Sequence, residues 1–93
     1  MKIEETPEVV RLMQLAEESV ELAHAALKLA RIQMGYSPTP MTEHEARVQL
    51  REEVADVMVC ETALGFNQND PIIQSMRRKK WWRWQERLDE WLT

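Results

Sequence analysis

Cysteine, glycine and proline are scarce, at one, two and four among 93 residues. The single cysteine, Cys60, excludes an intramolecular disulfide framework. It ends the apolar run "VADVMVC" and reads as a small buried hydrophobe rather than a nucleophile or metal ligand. So few glycines and prolines exclude an architecture of many short strands, which needs frequent turns, and favour long helices. No apolar run approaches the length of a membrane span. The opening "MKIEETPEVV" is acidic and lacks the apolar centre of a signal peptide. The expectation is one domain over residues 1–93, cytoplasmic and without membrane contact.

What is present is charge, unevenly placed. Residues 1–70 carry 6 basic and 13 acidic side chains, and residues 71–93 carry 6 basic and 3 acidic. An acidic body with a basic tail suits a site for metal and phosphate, and equally suits helices paired by charge.

Three helices are predicted. The first runs from about Pro7 to Met34, with Thr6 as N-cap and Pro7 at the first helical position. Val9, Leu12, Met13, Ala16, Val20, Ala23, Leu27 and Ala30 recur there at helical spacing. A break near Leu15 is left open. Gly35 can take the left-handed position that ends the helix, and Pro38 and Pro40 forbid its continuation. "TEHE" then predicts Thr42 as N-cap with Glu45 as its capping-box partner. The second helix runs from about Glu43 to Leu64 and is apolar nearly all round from Val54 onward. "GFNQND" predicts a turn with Asp70 as N-cap, and the third helix runs to about Leu92. Its Trp81, Trp84, Leu88 and Trp91 form a 3-4-3 stripe, which reads as core or interface. A helix apolar on all sides needs neighbours on all sides. The fold class expected is therefore all-α, an antiparallel helical bundle of about three helices per chain. A homodimer or homotetramer built around residues 54–64 and the Trp stripe completes a four-helix core.

The acidic residues of the first two helices are arranged in short steps. Residues three apart on a helix lie about 60° apart around its axis and roughly 4.5 Å along it. Glu18 and Glu21 therefore point the same way, as do Glu53 and Asp56. If the two helices pack antiparallel, all four can converge. Four clustered carboxylates repel, and a cation among them relieves the repulsion. Hard oxygen ligands select Mg²⁺, Mn²⁺ or Ca²⁺ over Zn²⁺. Glu53 is followed three residues on by Asp56 and not by histidine, which argues against a di-iron carboxylate bundle. Each motif alone is common on solvated helix faces, so spacing leaves a metal site and two solvated faces as the open readings.

"LAEESVELAHAALKLAR" (15–31) followed by "LREEVADVMVC" (50–60) resembles the MazG-like, all-α nucleoside triphosphate pyrophosphohydrolases. Their signature, E-E-x-x-E on one helix and E-x-x-D on the next, falls here on Glu17, Glu18, Glu21, Glu53 and Asp56. The tail "KKWWRWQERL" (79–88) resembles the last helix of small members. The interval from Glu21 to Glu53 is longer than the family's, the extra length falling in "GYSPTPMTEHE", and the chain is short.

The resemblance implies hydrolysis of a nucleoside triphosphate, canonical or non-canonical, to monophosphate and pyrophosphate, with Mg²⁺ or Mn²⁺ as cofactor. It implies Glu18, Glu21, Glu53 and Asp56 as metal ligands and Glu17 and Glu18 as catalytic carboxylates. Glu17 is open between activating water, supporting a ligand and facing solvent. Lys28, Lys80 and Arg83 are expected to bind phosphate, against the alternative of ordinary surface charges. His24 and His44 have no matching ligand spacing.

A different class of function stays in view. "RRKKWWRW" (77–84) mixes cations with aromatics, as single-stranded nucleic-acid surfaces do. An acidic chain with one short basic segment fits nucleic acid poorly. A catalytically silent helical dimer, serving as a nucleotide- or nucleic-acid-binding accessory protein, is the alternative.

Overall fold

The computed structural model describes residues 1–35 and 40–92. A short 3-10 turn over Ile3–Glu5 precedes three helices: α1 (Glu8–Met34), α2 (Glu43–Ala63) and α3 (Pro71–Leu92). The all-α expectation holds among the described residues. Helix α1 is unbroken through Leu15. Its 27 residues span roughly 40 Å at the helical rise, close to the 45 Å long dimension of the protein.

The helix ends follow local chemistry. The Thr42 hydroxyl accepts from the Glu45 N–H at 3.1 Å, and the Glu45 carboxylate accepts from the Thr42 N–H at 3.3 Å. This is the capping box expected for α2. The Asp70 carboxylate accepts from the Ile72 N–H at 2.8 Å and starts α3. The two glycines sit just past α1 and α2 at positive φ, 71° for Gly35 and 82° for Gly65. The Gly35 N–H closes α1 on the Arg31 and Ile32 carbonyls. One expectation is corrected. Pro7 is the N-cap of α1 rather than its first helical residue, because its ψ of 140° is extended. Thr6 caps nothing in α1; its hydroxyl donates to the Ile3 carbonyl at 2.7 Å and closes the preceding turn. The break expected at Pro38 lies outside the described residues.

Helices α1 and α2 pack antiparallel, and theirs is the one extensive contact between elements among the described residues. Three hydrogen bonds fix the register. Arg11 Nη1 donates to the Ala63 carbonyl at 2.6 Å, joining the start of α1 to the end of α2. Lys28 Nζ donates to Gln49 Oε1 at 3.4 Å, and Gln33 Nε2 to Glu43 Oε1 at 3.2 Å.

The contact is a seam with alternating steps of three and four. On α1 it runs through positions 11, 15, 18, 22, 25, 29 and 32, where Ala25 and Leu29 are buried and the others half-buried. On α2 it runs through 46, 50, 53, 57 and 60 and continues to Leu64 just past the helix, with Ala46 and Cys60 buried. That spacing is the knobs-into-holes pattern of helices crossing at a small angle. The two alanines, 3% and 1% exposed, let the backbones approach closely.

The stripe that marks α1 as a helix in the sequence is not this one. Val9, Met13, Val20, Leu27 and Met34 lie on the opposite side of α1 and are between 50% and 62% exposed. Val54, Met58 and Val59 on α2 are also exposed in the protomer, as are Trp81, Trp84, Leu88 and Trp91 on α3. The buried reading of Cys60 holds.

The surface accounts for this. The chain exposes 7923 Å². A compact protein of its mass exposes about 5,600 Å². Its radius of gyration is 16.8 Å, where a compact chain of this length has about 12 Å.

Gly35→Ala should destabilise the protein by about 1 kcal/mol, the cost of a side chain in the left-handed region. Nothing among the described residues lies within 4 Å of the added Cβ, so the cost is one of backbone conformation. Gly35→Asn should cost less, since asparagine tolerates that region. Urea denaturation at fixed protein concentration measures both, and equal stability of all three proteins would contradict the assigned turn.

Candidate metal centre

The α1–α2 seam brings the acidic residues together. Glu18 and Glu53 occupy seam positions where a packed helix pair normally places apolar knobs. Asp56 stands one turn beyond Glu53, at the edge of the seam. Glu18, Glu53 and Asp56 each offer an oxygen, and these oxygens lie within 4.8 Å of one another. Glu18 and Glu53 are half-buried and Asp56 is exposed.

The electrostatics follow from the crowding. The Glu53 carboxyl is pushed above its ordinary range, first by burial and then by the charges of Asp56, Glu18, Glu21 and Glu52. Glu18 accepts a hydrogen bond from Gln14 Nε2 at 2.9 Å, one turn earlier on α1. The buried Cys60 thiol is one turn past Asp56. Burial and the charges of Glu18, Asp56 and Glu61 push its pKa up and keep it protonated. Its sulfur is not among the converging ligand atoms. The donor set is three carboxylates, which fits a hard divalent cation such as Mg²⁺ or Mn²⁺.

The remaining candidates are dispersed. Glu21 is exposed beside this cluster, near enough for its charge to act on Glu53, and is not among the three converging residues. Glu17 is exposed, about 100° around α1 from Glu18. Lys28 is half-buried and reaches across to Gln49 on α2. Lys80 and Arg83 are exposed on α3, where they line a shallow depression with Met76 and Lys79. That depression contains no residue of α1 or α2. His24 and His44 are exposed.

Gln14 and Gln49 were not anticipated. Gln14 was legible as an i,i+4 partner of Glu18. Gln49 was not, because its pairing with Lys28 depends on the register of two helices.

No protein-family model, no curated protein and no solved structure matches the chain.

The raised Glu53 carboxyl sets a direction for stability without metal. In the folded protein Glu53 binds its proton more tightly than at the ordinary value of 4.5. Its contribution is fully present below that value and is lost as pH rises through the higher folded value. Chemical denaturation in chelator across pH 4 to 8, wild type against Glu53→Gln, isolates this part. The mutant should be the more stable at neutral pH, and the difference should shrink on acidification. A difference independent of pH would remove the electrostatic account of Glu53.

Proposed function

We propose that the chain is a Mg²⁺-dependent nucleoside triphosphate pyrophosphohydrolase of the MazG-like kind. The observation that carries this reading is the convergence of Glu18, Glu53 and Asp56 from two antiparallel helices into one oxygen-lined cluster. The E-E-x-x-E and E-x-x-D spacing supplies those residues from successive helices. The reaction adds water to the α-phosphorus and breaks the bond to the α–β bridging oxygen, yielding monophosphate and pyrophosphate.

Glu18, Glu53 and Asp56, with Glu21 beside them, would hold the cation. Mg²⁺ or Mn²⁺ there would supply positive charge to neutralise the triphosphate. Glu17, exposed next to Glu18, is assigned to orienting the water and taking its proton. Lys28, about two turns from Glu21 along α1 and reaching Gln49 on α2, is assigned to the phosphate chain. Lys80 and Arg83 complete the phosphate contacts. Helix α3 does not pack extensively on α1 or α2 of its own protomer, so these two cations are assigned to an α3 supplied by a second copy. The working unit is a dimer or tetramer whose four-helix core draws helices from two chains. The half-exposed Val54, Met58 and Val59 and the exposed Trp stripe support that assembly.

A second reading rests on α3 alone. Trp81, Trp82 and Trp84 are 63–66% exposed among Lys79, Lys80 and Arg83. Such a surface can stack single-stranded bases. No helix among the described residues is long and apolar enough to cross a membrane.

Pyrophosphate release from a panel of canonical and modified nucleoside triphosphates, with and without Mg²⁺ or Mn²⁺, tests the first reading. Glu53→Gln and Asp56→Asn should each lower turnover about 10²-fold or more, the loss expected when a cation worth several kcal/mol is poorly held. Helicity should be unchanged. Normal Mg²⁺-dependent turnover in both mutants would eliminate the site. Salt-sensitive oligonucleotide binding without turnover would favour the second reading.

Lys80→Ala and Arg83→Ala should raise KM or lower kcat for triphosphates while leaving thermal stability within about 0.5 kcal/mol, as for ordinary surface changes. Should both hydrolyse normally while the oligomer dissociates, they are interface charges and not phosphate contacts.

A further inference from the structure

The outward stripe of α1 is as regular as the seam that faces α2. It occupies positions 9, 13, 16, 20, 23, 27, 30 and 34, in steps of four and three throughout. Its larger members are half or more exposed, Ala16 and Ala23 are also exposed, and Ala30 is half-buried. No element among the described residues packs on it extensively, since α2 lies on the opposite side. From this we propose that α1 pairs antiparallel with α1 of a second copy, across a two-fold axis between Val20 and Ala23.

Volume selects the occupant and its direction. One set of positions holds Met13, Val20, Leu27 and Met34. The alternate set holds Val9, Ala16, Ala23 and Ala30. Antiparallel pairing sets the larger side chain against the smaller in every layer. Val20 meets the partner's Ala23, Leu27 meets the partner's Ala16, Met13 meets the partner's Ala30, and Met34 meets the partner's Val9. Interdigitated large and small side chains pack to interior density. A parallel pairing stacks methionine on methionine and alanine on alanine, leaving crowded and empty layers in alternation.

Charge selects the same direction. Glu17, His24 and Arg31 lie seven residues apart along one flank of the stripe. Antiparallel pairing sets Glu17 between the partner's His24 and the partner's Arg31. In a parallel pair the facing flank carries Leu12, Ser19, Ala26 and Gln33, with no charge to meet them.

The area suffices. The chain exposes 7923 Å². That is about 2,300 Å² beyond a compact protein of its mass. A stable interface needs about 800 Å² from each partner. The stripe is also separate from Val54–Leu64 and the α3 tryptophans. Two distinct two-fold contacts on one chain generate a tetramer.

The seam stands on α1 spacing and exposure, not on the catalytic reading. It lies on the side of α1 away from Glu18, so Glu53→Gln and Asp56→Asn leave it intact. Glu17 is the one residue common to both readings, and pairing with the partner's Arg31 removes it from water activation. Analytical ultracentrifugation of the wild type should give at least twice 11.0 kDa. Val20→Glu with Leu27→Glu should halve the wild-type mass and keep the helical circular dichroism, because both side chains are exposed in the protomer. A wild type at the protomer mass, or an unchanged mass in the folded double mutant, overturns the proposal. If the double mutant loses its helicity, cross-linking decides. In a Cys60→Ala background, an oxidised mixture of Ala16→Cys and Leu27→Cys chains should give the mixed covalent dimer, and Ala16→Cys alone should give none. Absence of the mixed dimer, or self-linking of Ala16→Cys, overturns the antiparallel seam.

Discussion

Two glutamates stand where two apolar knobs are expected. Glu18 and Glu53 occupy regular positions of the α1–α2 seam, and the helices close around them with Ala25, Leu29, Ala46 and Cys60 buried elsewhere along it. Like charges held together in a half-buried place disfavour their own ionisation, and Glu53 shows it. The hairpin tolerates them because its apolar layers and hydrogen bonds lie along the rest of its length. The site is therefore a local destabilisation carried by a regular scaffold, the pattern expected where a structure departs from its own packing rule for function.

Helix α1 organises the rest. One side carries the seam that meets α2 and the other an exposed apolar stripe of the same spacing, about half a turn away. Among the described residues only the first side meets another helix extensively, and the surface and radius of the chain exceed those of a compact one. Helix α3 extends the imbalance, with its cations and tryptophans exposed together.

The helix boundaries were legible because their signals are local. Thr42 with Glu45, Asp70 before Pro71 and Gly35 after Met34 each act within a few residues, and each is found as expected. Pro7 missed by one position because proline fits both the first helical turn and the extended residue before it; ψ decides, and sequence does not set ψ. Which face of α1 meets α2 was hidden for a different reason. Two stripes of equal period compete, and the outward one is rich in recognisable apolar residues while the inward one contains Arg11 and Glu18. The carboxylate steps pointed to the two helices that form the cluster. They could not separate Glu21 from Glu18, since both lie within the arc that an antiparallel neighbour can reach.

Arg11 bears on motion. Its guanidinium reaches the carbonyl of Ala63, the last residue of α2, and its Nε is buried without a hydrogen-bond partner among the described residues. A hairpin of two helices is held by its connection at one end and frays at the other. Here the free end is fastened by a cation on the negative pole of α2. Local opening should therefore not begin there. Amide protons of the last turn of α2 should exchange slowly for a helix end, and opening should spread from α3, which makes no extensive contact with the hairpin among the described residues. The cluster of Glu18, Glu53 and Asp56 lies inside the fastened length, where the hairpin itself holds the spacing of the three carboxylates.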